Sequence, residues 1–320
     1  MADTFTASKL TCGSDCKDAR HRPRNTGEAL LCMKKELEQL YACNDGRAIF
    51  LRAYFVMTTQ VNAAVHGTGD FERTGPIFFD PAWVDRLAGR FSALYFESLT
   101  RSRACYPDNK PICAAWGMAM EQAARPRPSI VQCMLLGINA HINFDLAQGI
   151  HEVVREDLRR LQQDVKDPAA RDRRAAELMA RWKFDHDQMN NVLVRTNPKI
   201  QEILGREFRG AMGLLSKMGG LFDELLTSTG LRYYRDRVWN NVLGLLAAGP
   251  EELEKVKMRL GWESQQMAEF LIKGGWVNNA VYRLDRGMRR GRVEGRFQPE
   301  LDGLEVHAGG SLGHRLQRPF

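Results

Sequence analysis

His141 and Asp145 stand four residues apart within Leu135-Leu136-Gly137-Ile138-Asn139-Ala140-His141-Ile142-Asn143-Phe144-Asp145-Leu146, the most apolar stretch of the chain. The hydrogen-bonding side chains in that stretch need partners, because an unpaired buried amide, imidazole or carboxylate costs roughly 1–3 kcal/mol or more. On a helix of about 3.6 residues per turn the imidazole and the carboxylate share a face, about 40° apart. Three chemistries use such a pair. The aspartate can orient the imidazole as a general acid or base, both can bind a divalent metal, or each can simply satisfy the other. Asn139 and Asn143 form a second pair on the far side of the same helix, so the segment is expected to be central and packed all around. His141, Asp145 and Asn143 are the candidate catalytic residues.

Two further groups could complete a site. In Trp182-Lys183-Phe184-Asp185-His186-Asp187-Gln188-Met189-Asn190-Asn191, His186 and Asn190 share a face. An antiparallel packing against the first helix would give a metal set of His141, Asp145 and His186, two imidazoles and one carboxylate, suited to zinc or iron. The second group is Tyr233-Tyr234-Arg235-Asp236-Arg237-Val238-Trp239-Asn240-Asn241. There Arg235 and Trp239 share a face, where a guanidinium stacked on an indole is expected. Asn190, Arg235 and Trp239 are the candidate substrate-binding residues. His66 and Asp80 flank a long loop, and each has a local explanation: a favourable charge at a helix C-terminus for His66, a helix N-cap before Pro81 for Asp80.

The elements that position these residues read as helices. Apolar periodicity predicts them at about 27–43, 47–66, 81–102, 111–124, 129–163, 169–195, 198–227, 231–248, 250–258 and 262–284. Asp80-Pro81, Asp167-Pro168, Asn197-Pro198 and Gly249-Pro250-Glu251-Glu252 supply proline for a first turn and acids for the helix dipole. Alternating β-branched runs bounded by hairpin turns are missing, so the expected fold is all-α: one multi-helix bundle-like domain over 26–286. A disordered, irregular leader is expected over 1–25 and a basic Gly/Arg-rich tail over 287–320.

Composition bounds the function. Hydrophobic residues at 44% with 27% charged argue for a folded globular chain, and no uninterrupted apolar run is long enough for a membrane span. The first residues carry no basic region followed by an apolar segment, so the expected location is the cytoplasm. Seven cysteines, an odd number, favour reduced thiols. Cys12 and Cys16 with His21 lack the second ligand pair of a zinc site. Much of the +7 net charge falls on Arg283, Arg286, Arg289, Arg290, Arg292 and Arg296, and no nucleic-acid-binding signature accompanies it. The expected partner is a small molecule.

Two resemblances bear on the site. His141, Asp145 and His151 form a His-x3-Asp-x5-His spacing similar to the helical zinc-dependent phospholipase C and single-strand nuclease superfamily, which would imply a metal-dependent phosphoesterase. The chain has neither the N-terminal tryptophan nor the later His-x3-acid pair of that superfamily. On an unbroken helix His151 also lies roughly 15 Å from His141 along the axis, so only a break near Gly149 would bring it in. The wider resemblance is to an uncharacterised all-helical family of unknown function. It is carried by Phe78-Phe79-Asp80-Pro81-Ala82-Trp83-Val84, by Phe91-Ser92-Ala93-Leu94-Tyr95-Phe96-Glu97-Ser98-Leu99, and above all by the Asn-Ala-His-Ile-Asn-x-Asp-Leu signature at Asn139 to Leu146. Asp185 to Leu193 and Arg235 to Asn241 agree more loosely, and coverage runs from about 27 to 285. The resemblance implies a helical fold with His141, Asn143 and Asp145 as candidate residues, and it brings no established reaction. The expectation is therefore a small-molecule enzyme in specialised metabolism, with a non-catalytic binding or interaction protein as the alternative.

Overall fold

A computed structural model describes residues 22–72, 77–101, 113–125, 129–208 and 228–273. The leader with Cys12, Cys16 and His21, and the arginine-rich tail, lie outside the described residues. Within them the chain is helical with no strand. Eight helices follow in order: α1 (Thr26–Ala42), α2 (Ala48–His66), α3 (Pro81–Arg101), α4 (Ala114–Ala123), α5 (Ile130–Asp164), α6 (Pro168–Glu207), α7 (Ser228–Ala247) and α8 (Pro250–Lys273).

Local chemistry fixes the helix starts. Asn25 caps α1 by accepting the Glu28 amide at 2.8 Å, and Asp80 accepts the Trp83 amide at 2.9 Å, as its place before Pro81 predicts. Asp167 caps α6 through the Ala170 amide, with Pro168 in the first turn. Helix α2 ends at Gly67, whose φ of 63° is the left-handed conformation that glycine tolerates.

Helix α5 lies at the centre. It packs against α2, α3, α4, α6, α7 and α8, which explains why its first half is apolar on every side. It is long and apolar enough to cross a membrane by length and composition, yet 78% of its most apolar window is buried inside the protein. The core around it is rich in rings, including the fully buried Trp83, Trp116 and Trp182. Small residues admit close contacts: a Cβ on Gly137 would lie 2.3 Å from the ring of Phe50, so α2 can press this ring onto α5 only where a side chain is absent.

Three expectations from the sequence are corrected. Asn197-Pro198 does not divide two helices, since α6 runs unbroken from Pro168 to Glu207. Pro198 sits on an exposed face, and Val194, whose carbonyl loses its donor, is exposed as well. Similarly, 250–258 and 262–284 are not separate helices: α8 passes straight through Gly261, where a Cβ would sit 3.5 Å from the Phe144 ring. Finally, Cys43 is disulfide-bonded, where reduced thiols were expected, while Cys113 is a buried thiol.

Two buried polar clamps tie distant segments together. Arg52, fully buried, donates from Nε and Nη2 to Glu207 at 2.7–3.0 Å, and Tyr41 donates to the same carboxylate, joining α1 and α2 to the end of α6. Asp185 accepts the amides of Phe79 and Asp80 at 2.6 and 2.8 Å, holding the start of α3 against α6 beside the stacked Trp83 and Trp182.

Candidate functional site

The polar pair in the middle of α5 does not sit on ordinary α-helix. His141–Asp145 form a π-helical turn, closed by the Leu146 amide donating to the His141 carbonyl. Such wide turns insert a residue into a helix at a cost in regularity and recur at functional sites. Here the turn keeps the His141 imidazole and the Asp145 carboxylate together, with Nδ1 3.1 Å from Oδ2. Trp116 on α4 donates its indole N–H to the same Oδ2 at 2.9 Å. An indole thus orients the carboxylate, and the carboxylate orients the imidazole.

Five aromatic residues enclose the imidazole. Helix α2 supplies Phe50 and Tyr54, one turn apart, and α3 supplies Phe91 and Tyr95 at the same spacing; Trp116 on α4 closes the set. Phe91 stacks on the ring at 3.6 Å between centroids and 10° between planes, and Tyr54 meets it at 4.3 Å and 66°. His141 is 4% exposed and Asp145 1% exposed, and Nε2 of His141 has no hydrogen-bond partner. An orphaned buried ring nitrogen is costly, and such groups are uncommon in folded proteins.

Burial dominates the electrostatics. It pushes His141 well below the ordinary imidazole range and Asp145 well above the ordinary carboxylate range, with the Trp116 hydrogen bond opposing the latter. Both shifts favour the uncharged forms, with a proton held between Nδ1 and Oδ2. Burial and the nearby Asp145 also raise the Tyr54 phenol, and they push the Cys113 thiol up to about 12, which keeps Cys113 protonated and poorly nucleophilic.

The remaining sequence candidates fall elsewhere. Asn143 donates to Asn139 Oδ1 at 2.9 Å, and Asn139 donates to the Ser264 carbonyl at 2.8 Å, so this pair binds α5 to α8 rather than joining the imidazole. The expected metal set of His141, Asp145 and His186 is not assembled. Both ring nitrogens of His186 are engaged by Arg235: Nδ1 accepts from Nη2 at 2.9 Å, and Nε2 donates to the Arg235 carbonyl at 3.1 Å. Trp239 packs against the His186 ring, 5.4 Å between centroids, where stacking on Arg235 was expected. His151 is no closer to a metal role, because α5 continues helically through Gly149 and no break brings it back to His141. Among the described residues no group of three or more His, Cys, Asp or Glu is placed to hold a metal ion. His66 is exposed at the end of α2.

Sequence reasoning missed the cage and the Trp116 anchor. The one available signal was the pair of aromatic i,i+4 spacings, Phe50/Tyr54 on an apolar helix and Phe91/Tyr95 on an amphipathic one.

Residues 27–274 match a family of unknown function, DUF5995. The chain belongs to DUF5995. The DUF5995 match begins one residue inside α1 and ends one residue past α8, so it contains all the cage residues, the π-turn and both polar clamps. No curated protein and no solved structure matches this DUF5995 chain.

Proposed function

We propose that the protein is an enzyme acting on a small molecule, with His141 transferring a proton at Nε2 while Asp145 holds Nδ1 and Trp116 holds Asp145. The observation that carries this reading is the unpartnered Nε2, buried at the end of an ordered relay. A purely structural imidazole is expected to use both nitrogens, as His186 does. The ring instead spends one nitrogen on orientation and leaves the other free for a reacting atom. The cage favours a small, largely apolar or aromatic substrate of the kind met in specialised metabolism. Phe91, the half-buried member of the cage, marks the side from which a substrate reaches the imidazole.

The rival reading is a non-catalytic binding or interaction protein in which the network only fixes helix register. It draws support from the coverage of both imidazole faces by Phe91 and Tyr54. Incubating the purified protein with a metabolite extract of its source cells, and following the extract by untargeted mass spectrometry, separates the two. The enzyme reading expects the wild type to consume at least one metabolite and a folded His141→Gln variant to leave it intact. Equal consumption by both removes His141 from the chemistry, and no consumption by either favours the rival.

A further inference from the structure

A second buried cluster lies on the seam of α6 and α7, and its charge is unbalanced. Arg235 is 5% exposed, and its recorded partners are both neutral: Nη2 donates to Nδ1 of His186 at 2.9 Å and to the His186 carbonyl at 2.5 Å. Because Nε2 of His186 donates to the Arg235 carbonyl, Nδ1 must present a lone pair, so the imidazole supplies no counter-charge. Burial and the adjacent guanidinium both disfavour protonation of His186. Nε of Arg235 is buried with no partner.

The acids nearest this guanidinium, Asp187 and Asp236, favour its charge from beyond ion-pair distance. Asp187 and Asp236 are turned outward, and both are engaged by Lys183, at 2.6 Å and 3.3 Å. Among the described residues no carboxylate forms an ion pair with Arg235. A desolvated cation without a paired counter-ion is a costly arrangement, and burial pulls this guanidinium down to about 10 against the weaker opposing pull of those two acids. One turn from His186, the side-chain oxygen of Asn190 is also buried without a partner. Rotation of that amide would make it an additional donor on the face of α6 that carries His186. Trp239 against His186 supplies an apolar wall.

We propose that Arg235 and Asn190, braced by His186, form a receptor for an oxyanion, the carboxylate or phosphate group of a small metabolite. Guanidinium is the side chain best matched to such groups, and the free Nε–H is the donor left to meet one. The bound anion supplies the missing counter-charge, and the fixed tautomer of His186 keeps Nη2 in place. This site is independent of the proton-transfer role of His141, and its test does not need turnover.

The test uses inorganic phosphate and acetate as probes, titrated into the full-length protein at constant ionic strength set with chloride, and read by calorimetry and melting temperature. Saturable binding of phosphate or acetate to the wild type is expected, with affinity at least about tenfold weaker in Arg235→Met and reduced in Asn190→Leu. Without added anion, Arg235→Met is expected to melt no lower than the wild type, since it removes an uncompensated buried charge. If Arg235→Met does not fold, Asn190→Leu and Arg235→Lys carry the affinity comparison. Binding to phosphate and not acetate, or the reverse, identifies which group the receptor prefers and supports it. No binding beyond the chloride control, or equal binding by wild type and variants, overturns it.

Discussion

The imidazole of His141 lies flat on the ring of Phe91, 3.6 Å between centroids and 10° from parallel, while its Nδ1 meets Asp145 at 3.1 Å. The stack fixes the plane of the ring and the hydrogen bond fixes its rotation within that plane. Nε2 therefore has a set direction before any substrate arrives, which is the preorganisation that proton transfer in a low-dielectric site requires.

This buried pair should leave a signature in the pH dependence of stability. Burial lowers His141 and raises Asp145, so the folded pair keeps one proton in common. In the unfolded chain the aspartate ionises near about 3.9 and the histidine deprotonates near about 6.5. Below the first value the unfolded chain binds one proton more than the folded pair, and stability falls with acid. Between the two the proton counts are equal and the contribution is flat. Above about 6.5 the unfolded chain binds one fewer, so stability falls as pH rises, by up to about 1.4 kcal/mol per unit. Urea unfolding of the wild type and of His141→Phe/Asp145→Leu checks this. The wild type should lose ground relative to the variant between pH 6 and 8, and a constant difference would count against the shared proton.

The Arg52–Glu207 clamp makes a separate prediction about the end of α6. Glu207→Leu takes from a fully buried guanidinium the carboxylate that its Nε and Nη2 bond, at an expected cost of up to about 3–5 kcal/mol. Arg52→Met/Glu207→Leu removes both charges and should regain most of that loss. Equal instability of the single and double variants in urea would show that the clamp is not the source.

Glycine at two positions makes room for other groups. A Cβ on Gly89 would lie 2.2 Å from the Arg24 backbone carbon and 2.3 Å from the Asn25 nitrogen, so Gly89→Ala must push the start of α1 off α3. A Cβ on Gly137 meets the Phe50 ring, which belongs to the cage. Both substitutions should cost about 1–3 kcal/mol, with Gly89→Ala the larger because backbone yields less than a ring. Gly137→Ala should also change the near-ultraviolet circular dichroism of the cage. Unchanged melting for Gly89→Ala would rule out the close packing of α1 on α3.

The helices were legible because periodicity, caps and proline agree along the chain. Asp167-Pro168 and Asp80-Pro81 begin helices for the local reasons the sequence gives away. Pro198 and Gly261 misled, because tertiary packing and an exposed face let a helix run through residues that usually end one. In the site, the His141/Asp145 pair was visible as an i,i+4 spacing in an apolar run. The π-turn was not, since a single i to i+5 hydrogen bond leaves no compositional trace. Trp116 and the four cage residues on α2 and α3 come from three other helices, and no local rule tells which rings converge. His186 failed as a partner for His141 because the choice between facing α5 and facing Arg235 is made by helix rotation, which spacing alone does not fix.

The most direct measurement removes the polar pair whole. In His141→Phe/Asp145→Leu the cage is filled by apolar groups of similar size and only the Trp116 N–H loses its acceptor, so a network kept for function should give up activity at a stability cost no larger than about 1–3 kcal/mol. The expected result is a folded protein at pH 7.5 whose melting temperature falls no further than loss of the Trp116 hydrogen bond explains, together with loss of metabolite consumption in the extract assay. Consumption that continues at the wild-type rate in the double variant would contradict the account of His141 as the proton-transferring group.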